Sequence, residues 1–353
     1  MADVTSLRRS CPLVSVCIPT YNGADTLAQT LDSILSQERD GLEVIVCDDC
    51  SGDATLAVAQ AYAGRYRCLK VVDNDTNVGM DRNFARAALR CTGEFIWFCG
   101  QDDILEPGAI DKCWEVLTGD REVDFVYFNY RAKNGNLTKV VTESFLPLQE
   151  DRYYVLPEEY FRDLDYVCHF LPATVMRRAF WETTPYEQFF DTHYVQVGVW
   201  LYNFVGHRAY VVADPSYVTG RAPEGSWKYH GGQMLFEIFS GHLDVYHRMF
   251  HSPRNPIPRR VYEKAMREFL WNLPHYTFFY SEKGFRCTPV IEERMKRLFG
   301  GNPWLYWLYV WPQVHLPEWM YGLCRGVYRF AGTGWLVRAV RRLVARMARS
   351  ARV

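Results

Sequence analysis

Four short apolar runs mark the first hundred residues, at positions 13–18, 42–47, 68–72 and 95–99. Between them lie stretches with helical spacing, the clearest placing Leu27, Leu31, Ile34 and Leu35 on one face. Strands alternating with helices of about a dozen residues predict a parallel, right-handed βαβ sheet covered on both faces. Each run stops at a polar loop: Pro19-Thr20-Tyr21-Asn22-Gly23, Asp48 to Asp53, Asn74 to Gly79, and Gly100 to Asp103. In such a sheet these loops line one edge, where ligands bind. A crevice of carboxylates, amides and glycines there suits a nucleotide that reaches a metal.

The fourth run carries the sharpest chemistry. It ends in Gly100-Gln101-Asp102-Asp103, followed by Pro107-Gly108. Paired carboxylates at a strand end suit a hard divalent cation, which takes oxygen ligands and bridges to phosphates. An ordinary turn with Asp102 or Asp103 capping a helix is the alternative. Neither G-x-G-x-x-G after the first strand nor G-x-x-x-x-G-K-[ST] occurs, so this is not the dinucleotide-binding or P-loop pattern.

Beyond residue 120 the rhythm weakens. Residues 124–130 read as a strand and 133–136 as a hairpin turn. Residues 153–165 read as a helix beginning near Pro157, and 168–176 as strand-like, with Pro172 against a regular central strand. Residues 189–196 open a helix running to about Phe204. Residues 210–232 read as a strand and then a long Gly/Pro-rich loop. In that loop Arg221, Trp227, Lys228 and His230 form either a flap over a ligand or a plain surface loop. Helices are expected over 233–250 and 259–273, broken by the Pro253 to Pro258 stretch.

Composition narrows the class. The chain has 353 residues, 16% aromatic, with a formal net charge of -1, which gives no argument for nucleic-acid binding. Eleven cysteines include a single C-x-x-C, Cys47 to Cys50, with no second pair at zinc-finger spacing; zinc fingers are not supported, and a reducing, cytosolic compartment fits. The first residues lack a signal-peptide pattern, and no apolar run approaches the roughly 20 residues of a spanning helix. The tail is distinctive: Trp304, Tyr306, Trp307, Tyr309, Trp311, Trp319 and Tyr321 crowd one stretch. Eight arginines and no acidic residue follow Glu318. From Trp335 on, Leu336, Val340, Leu343, Val344 and Met347 share one helical face and arginines the other. That pattern predicts an in-plane membrane anchor drawn to anionic headgroups; a docked helix with a basic outer face is the alternative.

The segments Val16 to Asn22 (VCIPTYN), Val44 to Ser51 (VIVCDDCS), Asn77-Val78-Gly79 with Asn83, and Gly93 to Ile96 (GEFI) through Asp102-Asp103 resemble the family 2 glycosyltransferases of GT-A fold. Order and spacing match over about residues 13–120. The resemblance implies an α/β GT-A architecture, a Rossmann-like mostly parallel sheet with helices on both faces, plus a helical C-terminal extension. It implies transfer of a sugar from a nucleotide-sugar donor, with Mg²⁺ or Mn²⁺ on the diphosphate. Pro19, Thr20, Tyr21 and Asn22 then line the nucleotide. Asp48 accepts from the base beside Asp49, the alternative being a turn before a helix. Asn77, Gly79, Arg82 and Asn83 pass under the ribose and diphosphate, with Arg82 offsetting charge or lying on a solvated helix face. Gln101 and Asp102 also touch the donor, together with Arg221 and Trp227. Asp102 and Asp103 are the metal ligands, Asp102 aligning with the last carboxylate of the family's D-x-D signature. Gly100 stands where that signature has its first aspartate.

Family members carry Glu-Asp at the start of a later helix, the Asp serving as base. Here Phe190 replaces the Glu, and Asp191 takes the base's place with His193 as understudy; a simple helix N-cap is the alternative for Asp191. Within the family the chain is similar to abequosyltransferase-like members of O-antigen assembly. The expected organisation is a glycosyltransferase domain at 1–240 (13–120 for the donor, 121–240 for the acceptor), a helical extension at 241–300 and a membrane-associating tail at 301–353. The expected enzyme is inverting and uses a polyprenyl-diphosphate-linked glycan acceptor. It is cytoplasmic and peripheral on the inner face of the plasma membrane. A noncatalytic nucleotide-sugar-binding or scaffold protein on the same fold is the competing reading, given the missing Asp and Glu.

Overall fold

The computed structural model describes residues 13–119, 121–164, 170–221, 232–280, 285–316 and 320. In chain order the elements are β1 (Val14–Thr20), α1 (Leu27–Leu35), β2 (Leu42–Asp48), α2 (Thr55–Ala63), β3 (Leu69–Asp73), α3 (Met80–Arg90), β4 (Phe95–Phe98), β5 (Ile104–Leu105) and α4 (Ala109–Thr118). Then come β6 (Phe125–Phe128), β7 (Arg131–Lys133), β8 (Val140–Thr142), β9 (Arg152–Tyr154), α5 (Pro157–Leu164), β10 (Thr174–Arg177), α6 (Ala179–Thr183), α7 (Val195–Asn203), β11 (Ala209–Val212) and β12 (Val218–Arg221). Three longer helices follow: α8 (Gly232–Phe250), α9 (Arg259–Tyr280) and α10 (Pro289–Phe299).

The described residues divide into two compact units. One is drawn from Met1–Phe190, Tyr194–Trp227 and Arg254–Pro256, the other from Asp191–His193, Lys228–Pro253 and Ile257–Val353. The expected boundary between residues 240 and 241 lies within α8.

The first unit is built on an eight-stranded sheet of order β3-β2-β1-β4-β10-β6-β11-β9. Its first four strands are all parallel, with Val16 opposite both Val44 and Trp97. β1 and β2 are buried along their whole length, because helices cover both faces of a parallel sheet and leave no polar-out alternation. Two strands run against the others, β10 inside the sheet and β9 at its edge, where it pairs antiparallel with β11. β10 pairs antiparallel with both β4 and β6, after which β11 runs parallel to β6. Pro172 sits in a 3₁₀ turn before β10, where its missing N–H costs no ladder bond. Its carbonyl accepts from the buried Trp97 Nε1 at 2.8 Å. A smaller sheet, β5-β12-β7-β8, branches off beside the end of β4.

Several expected elements shift. Residues 153 and 154 belong to strand β9, not to the helix, which starts at Pro157. Part of the expected loop after residue 212 is strand β12, and the stretch after Asp103 contains β5. Each has few residues and exists through distant partners, β12 pairing antiparallel with β5 and parallel with β7, a long-range fact that local pattern does not carry. The helix expected from residue 189 begins at Val195. α9 runs through Pro274 to Tyr280 rather than ending at Leu273.

In the second unit Phe236, Leu243, Leu273, Phe285, Ile291, Met295 and Val310 form a single apolar cluster contributed by all three long helices, the connection before α10 and the helical turns after Pro303. The expected loop residues Trp227, Lys228 and His230, the aromatics Trp319 and Tyr321, and the Arg-rich stretch from Trp335 lie outside the described residues. No described helix is long and apolar enough to cross a membrane.

Candidate active site

The parallel order of β1 to β4 brings their four following loops to one edge. At the end of β1, Thr20 is buried and donates through Oγ1 to Asp48 Oδ1 at 3.1 Å. Tyr21 beside it is 49% exposed. Its backbone is gripped at both ends by one side chain: Tyr21 N donates to Gln101 Oε1 at 2.9 Å, and Gln101 Nε2 donates to Tyr21 O at 3.1 Å. Gly23 makes that grip possible, since a Cβ there would stand 2.3 Å from Gln101 Oε1. Asn22 takes a left-handed φ of 50°, a conformation Asn tolerates better than most residues. It joins the first loop to the second by donating from its N–H to Ser51 Oγ at 2.9 Å and accepting from Gly52 N at 2.9 Å.

The two carboxylates after β2 are both buried, and each organises a loop. Asp48 accepts from Thr20 Oγ1, from Ser51 N at 2.8 Å and from Ser51 Oγ at 2.6 Å. Asp49 accepts from Val78 N at 2.9 Å, Gly79 N at 3.0 Å and Asn74 Nδ2 at 2.9 Å. Gly79 has φ 87°, which a side chain would strain, and Asn77 Oδ1 also accepts from its N–H at 3.0 Å. Asn83 is buried on α3, donating to Cys47 O at 3.0 Å and accepting from Asn74 at 3.0 Å. These residues therefore build the floor of the crevice. Arg82, the next side chain along α3, lies with its guanidinium 4.7 Å from the centre of the Phe190 ring. This is within reach of a cation–π contact.

After β4 the geometry turns on a glycine. A Cβ at Gly100 would stand 2.3 Å from Asp103 Oδ2 and 3.3 Å from Asp102 Oδ1. Asp103 is 6% exposed and its carboxylate folds back into the room that a side chain at 100 would take. Burial, and then the charge of Asp102, push its carboxyl well above the ordinary range, against the pull of Arg221. Asp102 is only half-buried. Neither residue caps a helix, because α4 begins after Gly108. Arg221, at the end of β12, donates from Nε to the Asp102 carbonyl at 2.7 Å and from its guanidinium to Gln29. Gln29 has no sequence signature. Thr30, also on α1, bridges the Gln101 and Asp103 carbonyls at 2.9 Å each.

Glu106 was likewise invisible in sequence. One of its oxygens accepts from Arg131 at 2.9 Å, Lys133 at 2.8 Å and Thr219 at 2.7 Å. Burial works to raise its carboxyl, yet Lys133, Thr219 and Arg131 hold it below the usual range. An acid amid alternating cations in the flanking short strands is the signal that pairing of those strands would have revealed.

Among the described residues no cluster of three or more His, Cys, Asp or Glu could hold a metal. The donor set fits a cation of another kind. Mg²⁺ keeps several waters and binds through one or two carboxylates plus phosphates. Asp102, with Asp103 behind it, supplies such a pair. A site built wholly from protein ligands is not available there.

In the second unit, Asp191 is exposed and has φ 63°, and His193 has φ 66°. Such backbone costs on the order of 1–3 kcal/mol per residue and persists only where its surroundings fix it. Asp191 is not a helix N-cap, since α7 starts at Val195 behind Tyr194. His193 Nε2 lies 3.3 Å from Glu237 Oε2.

Residues 15–184 match the profile of glycosyl transferase family 2. The chain is 38% identical over 104 residues to the putative glycosyltransferase EpsE of Bacillus subtilis, a match covering 29% of this chain and 37% of that protein. It is 34% identical over 101 residues to abequosyltransferase RfbV of Salmonella typhimurium, covering 28% and 30%. The matches thus span only about a third of those relatives. Among solved structures, S. aureus TarS 1–349 in complex with UDP-GlcNAc aligns with a TM-score of 0.54 at 18% identity, over 90% of this chain and 92% of that one. Mannosyltransferase PcManGT from Pyrobaculum calidifontis, in complex with GDP-Man and Mn²⁺, aligns at 0.52 and 15%, over 92% and 88%. At these identities the likeness establishes a GT-A fold.

Proposed function

Residues 15–184 are a family 2 glycosyltransferase domain of GT-A fold, and from that premise we propose that this chain transfers one sugar from a nucleotide-sugar donor to a lipid-linked glycan acceptor. The observation that carries the reading is the convergence of four strand-end loops on one sheet edge, ending at Asp102. Thr20, Tyr21, Asn22, Asp48 and Asp49 frame the nucleotide. Asn77, Gly79 and Asn83 shape the bed for ribose and diphosphate, and Arg82 and Arg221 set positive charge against the phosphates. Asp102, backed by Asp103, would hold Mg²⁺ or Mn²⁺. Bound there, the cation would neutralise charge on the departing nucleoside diphosphate. Asp191 takes the proton from the acceptor hydroxyl as that oxygen attacks the anomeric carbon, with inversion. TarS and PcManGT, solved with UDP-GlcNAc and with GDP-Man and Mn²⁺, support donor and metal use here by analogy of fold.

The acceptor assignment rests on the tail. Trp304 is 72% exposed and Trp307 55%, with Trp311 also at the surface. Indole rings in this number at the surface suit a membrane interface, and the Arg-rich stretch after Glu318 suits anionic lipid. The reading places the enzyme on the cytoplasmic face of the membrane, where a polyprenyl-diphosphate-linked glycan in surface-polysaccharide or O-antigen assembly is accessible.

The test is a thermal-shift screen of UDP-, GDP-, CDP- and dTDP-sugars with and without Mn²⁺, followed by turnover with the stabilising donor. Asp102→Asn should abolish the Mn²⁺-dependent part of the shift. Asp191→Asn should cost more than about 10²-fold in rate; near-wild-type turnover would sink its assignment as base. Gly100 and Phe190, both standing where the family has carboxylates, favour a second reading, a noncatalytic nucleotide-sugar-binding protein. Donor binding without transfer to any lipid-linked acceptor, or hydrolysis, would decide for it.

A further inference from the structure

Asp191, Thr192 and His193 are held at three consecutive points by the helical unit. The Asp191 carbonyl accepts from the guanidinium of Arg294 on α10. Arg294 is 1% exposed and its other donors reach Glu237 O at 2.9 Å and Ser240 Oγ at 2.6 Å, both on α8. Its charge is balanced by buried Asp244, 3.8 Å away, which also binds Arg248 at 2.6 Å and Arg297 at 3.0 Å. Thr192 is fully buried, and its carbonyl lies against α8 at Gly241, where a Cβ would stand only 1.8 Å from that oxygen. The His193 ring meets Glu237, again on α8. The two left-handed residues flank the buried Thr192, so the backbone is fixed at an exposed residue, Asp191.

We propose that Arg294 and Gly241 are positioning residues for the Asp191 carboxylate, so that the helical unit sets the geometry of proton abstraction. The proposal rests on the reading of Asp191 as base. A left-handed Asp-Thr-His turn has no intrinsic preference to persist. Removing the bare approach at Gly241, or the fork of Arg294, releases the loop and moves the carboxylate away from the acceptor hydroxyl. Neither residue touches substrate. Their effect passes through the loop backbone alone.

The experiment compares Gly241→Ala, Arg294→Lys and Asp191→Asn in the full chain. Gly241→Ala is informative because Ala favours a helix interior over Gly, so α8 itself is not weakened. Arg294→Lys keeps a cation near Asp244 but cannot reach the three acceptors together. Both should lower kcat by about 10–10²-fold, the loss that a misplacement of roughly 1 Å produces. KM for the donor should stay within about twofold, as expected when only a transition-state interaction is removed. Amide hydrogen exchange at residues 191–193 should accelerate in both while the rest of α8 keeps its protection. If both variants keep wild-type kcat while Asp191→Asn is inactive, the positioning role is overturned and the base assignment stands. If Asp191→Asn is active, the base assignment falls. The exchange data then decide the clamp alone, and unchanged protection at 191–193 overturns it.

Discussion

Replacing Gly100 with alanine or aspartate should damage the end of the crevice proposed to hold metal rather than complete it. The added Cβ would meet Asp103 Oδ2 at 2.3 Å, about 1 Å inside ordinary carbon–oxygen contact. The residue that must yield is a short, buried side chain. Its carboxylate leaves its seat only by a change of χ1, or the strand end shifts. Overpacking of this kind costs about 1–3 kcal/mol. Because Asp103 backs Asp102, Mn²⁺ affinity should fall by about fivefold or more, tenfold corresponding to about 1.4 kcal/mol. The assay is a double-mutant cycle of Gly100→Ala and Asp103→Ala, read by urea unfolding and by calorimetric Mn²⁺ binding. Truncating Asp103 removes the atom that Cβ would strike, so the double variant should be more stable than the sum of the singles by about 1–2 kcal/mol. Additivity within about 0.5 kcal/mol would refute the steric account. A rise in Mn²⁺ affinity for Gly100→Asp would refute the view that Asp103 already fills the place of the family's first carboxylate.

Phe190→Ala removes the ring beneath Arg82 and should weaken UDP or GDP binding by about two- to fivefold, the worth of an exposed cation–π contact, with Phe190→Trp retaining affinity in the same titration. Asp49→Ala leaves the Val78 N–H without its acceptor, while Gly79 N–H keeps Asn77 and the Asn74 amide keeps Asn83, and should cost about 1–3 kcal/mol of stability in urea melts. His247 is held down to about 4 by burial and then by the neighbouring charge of His251. Its folded value is below the ordinary His value, so the stability it permits is present above about pH 6.5 and is lost as pH falls toward 4. Thermal melts of His247→Phe should lose the part of the decline that His247 contributes across that window.

The βα half, residues 13–120, was legible because its physics is local. β1, β2 and β4 are buried along their whole length and β3, at the sheet edge, only in part, and each is followed by a polar loop bearing Gly, Asn or Asp. Order and handedness of βαβ units then bring the loops to one edge. The antiparallel insertion of β10 was not legible, nor were β5 and β12, because short strands exist only through partners far away in sequence. The start of α7 was misplaced by several residues for a related reason. Asp191 looks like an N-cap by residue type, whereas contacts from α8 and α10, about 45 to 100 residues further on, hold it in a left-handed turn. Arg294 and Gly241 carry no motif. Their importance follows from close approach, which sequence spacing does not encode.

The same distinction sorts the acidic residues that the sequence offers for chemistry. Five aspartates were singled out as chemical: Asp48, Asp49, Asp102, Asp103 and Asp191. Asp48 and Asp49 are buried and each already accepts three hydrogen bonds from the chain. Carboxylates so engaged fix the loops whose backbone a ligand would meet. Asp103 is buried with its ionisation disfavoured, filling the room left by Gly100. Asp102 is half-buried and Asp191 exposed. Asp102 and Asp191 reach solvent, as the proposed roles in holding a cation and taking a proton require, whereas Asp103, proposed as a metal ligand beside Asp102, is buried. Substituting the first group should read out mainly as lost folding stability, and substituting the second mainly as lost turnover in a protein that still folds.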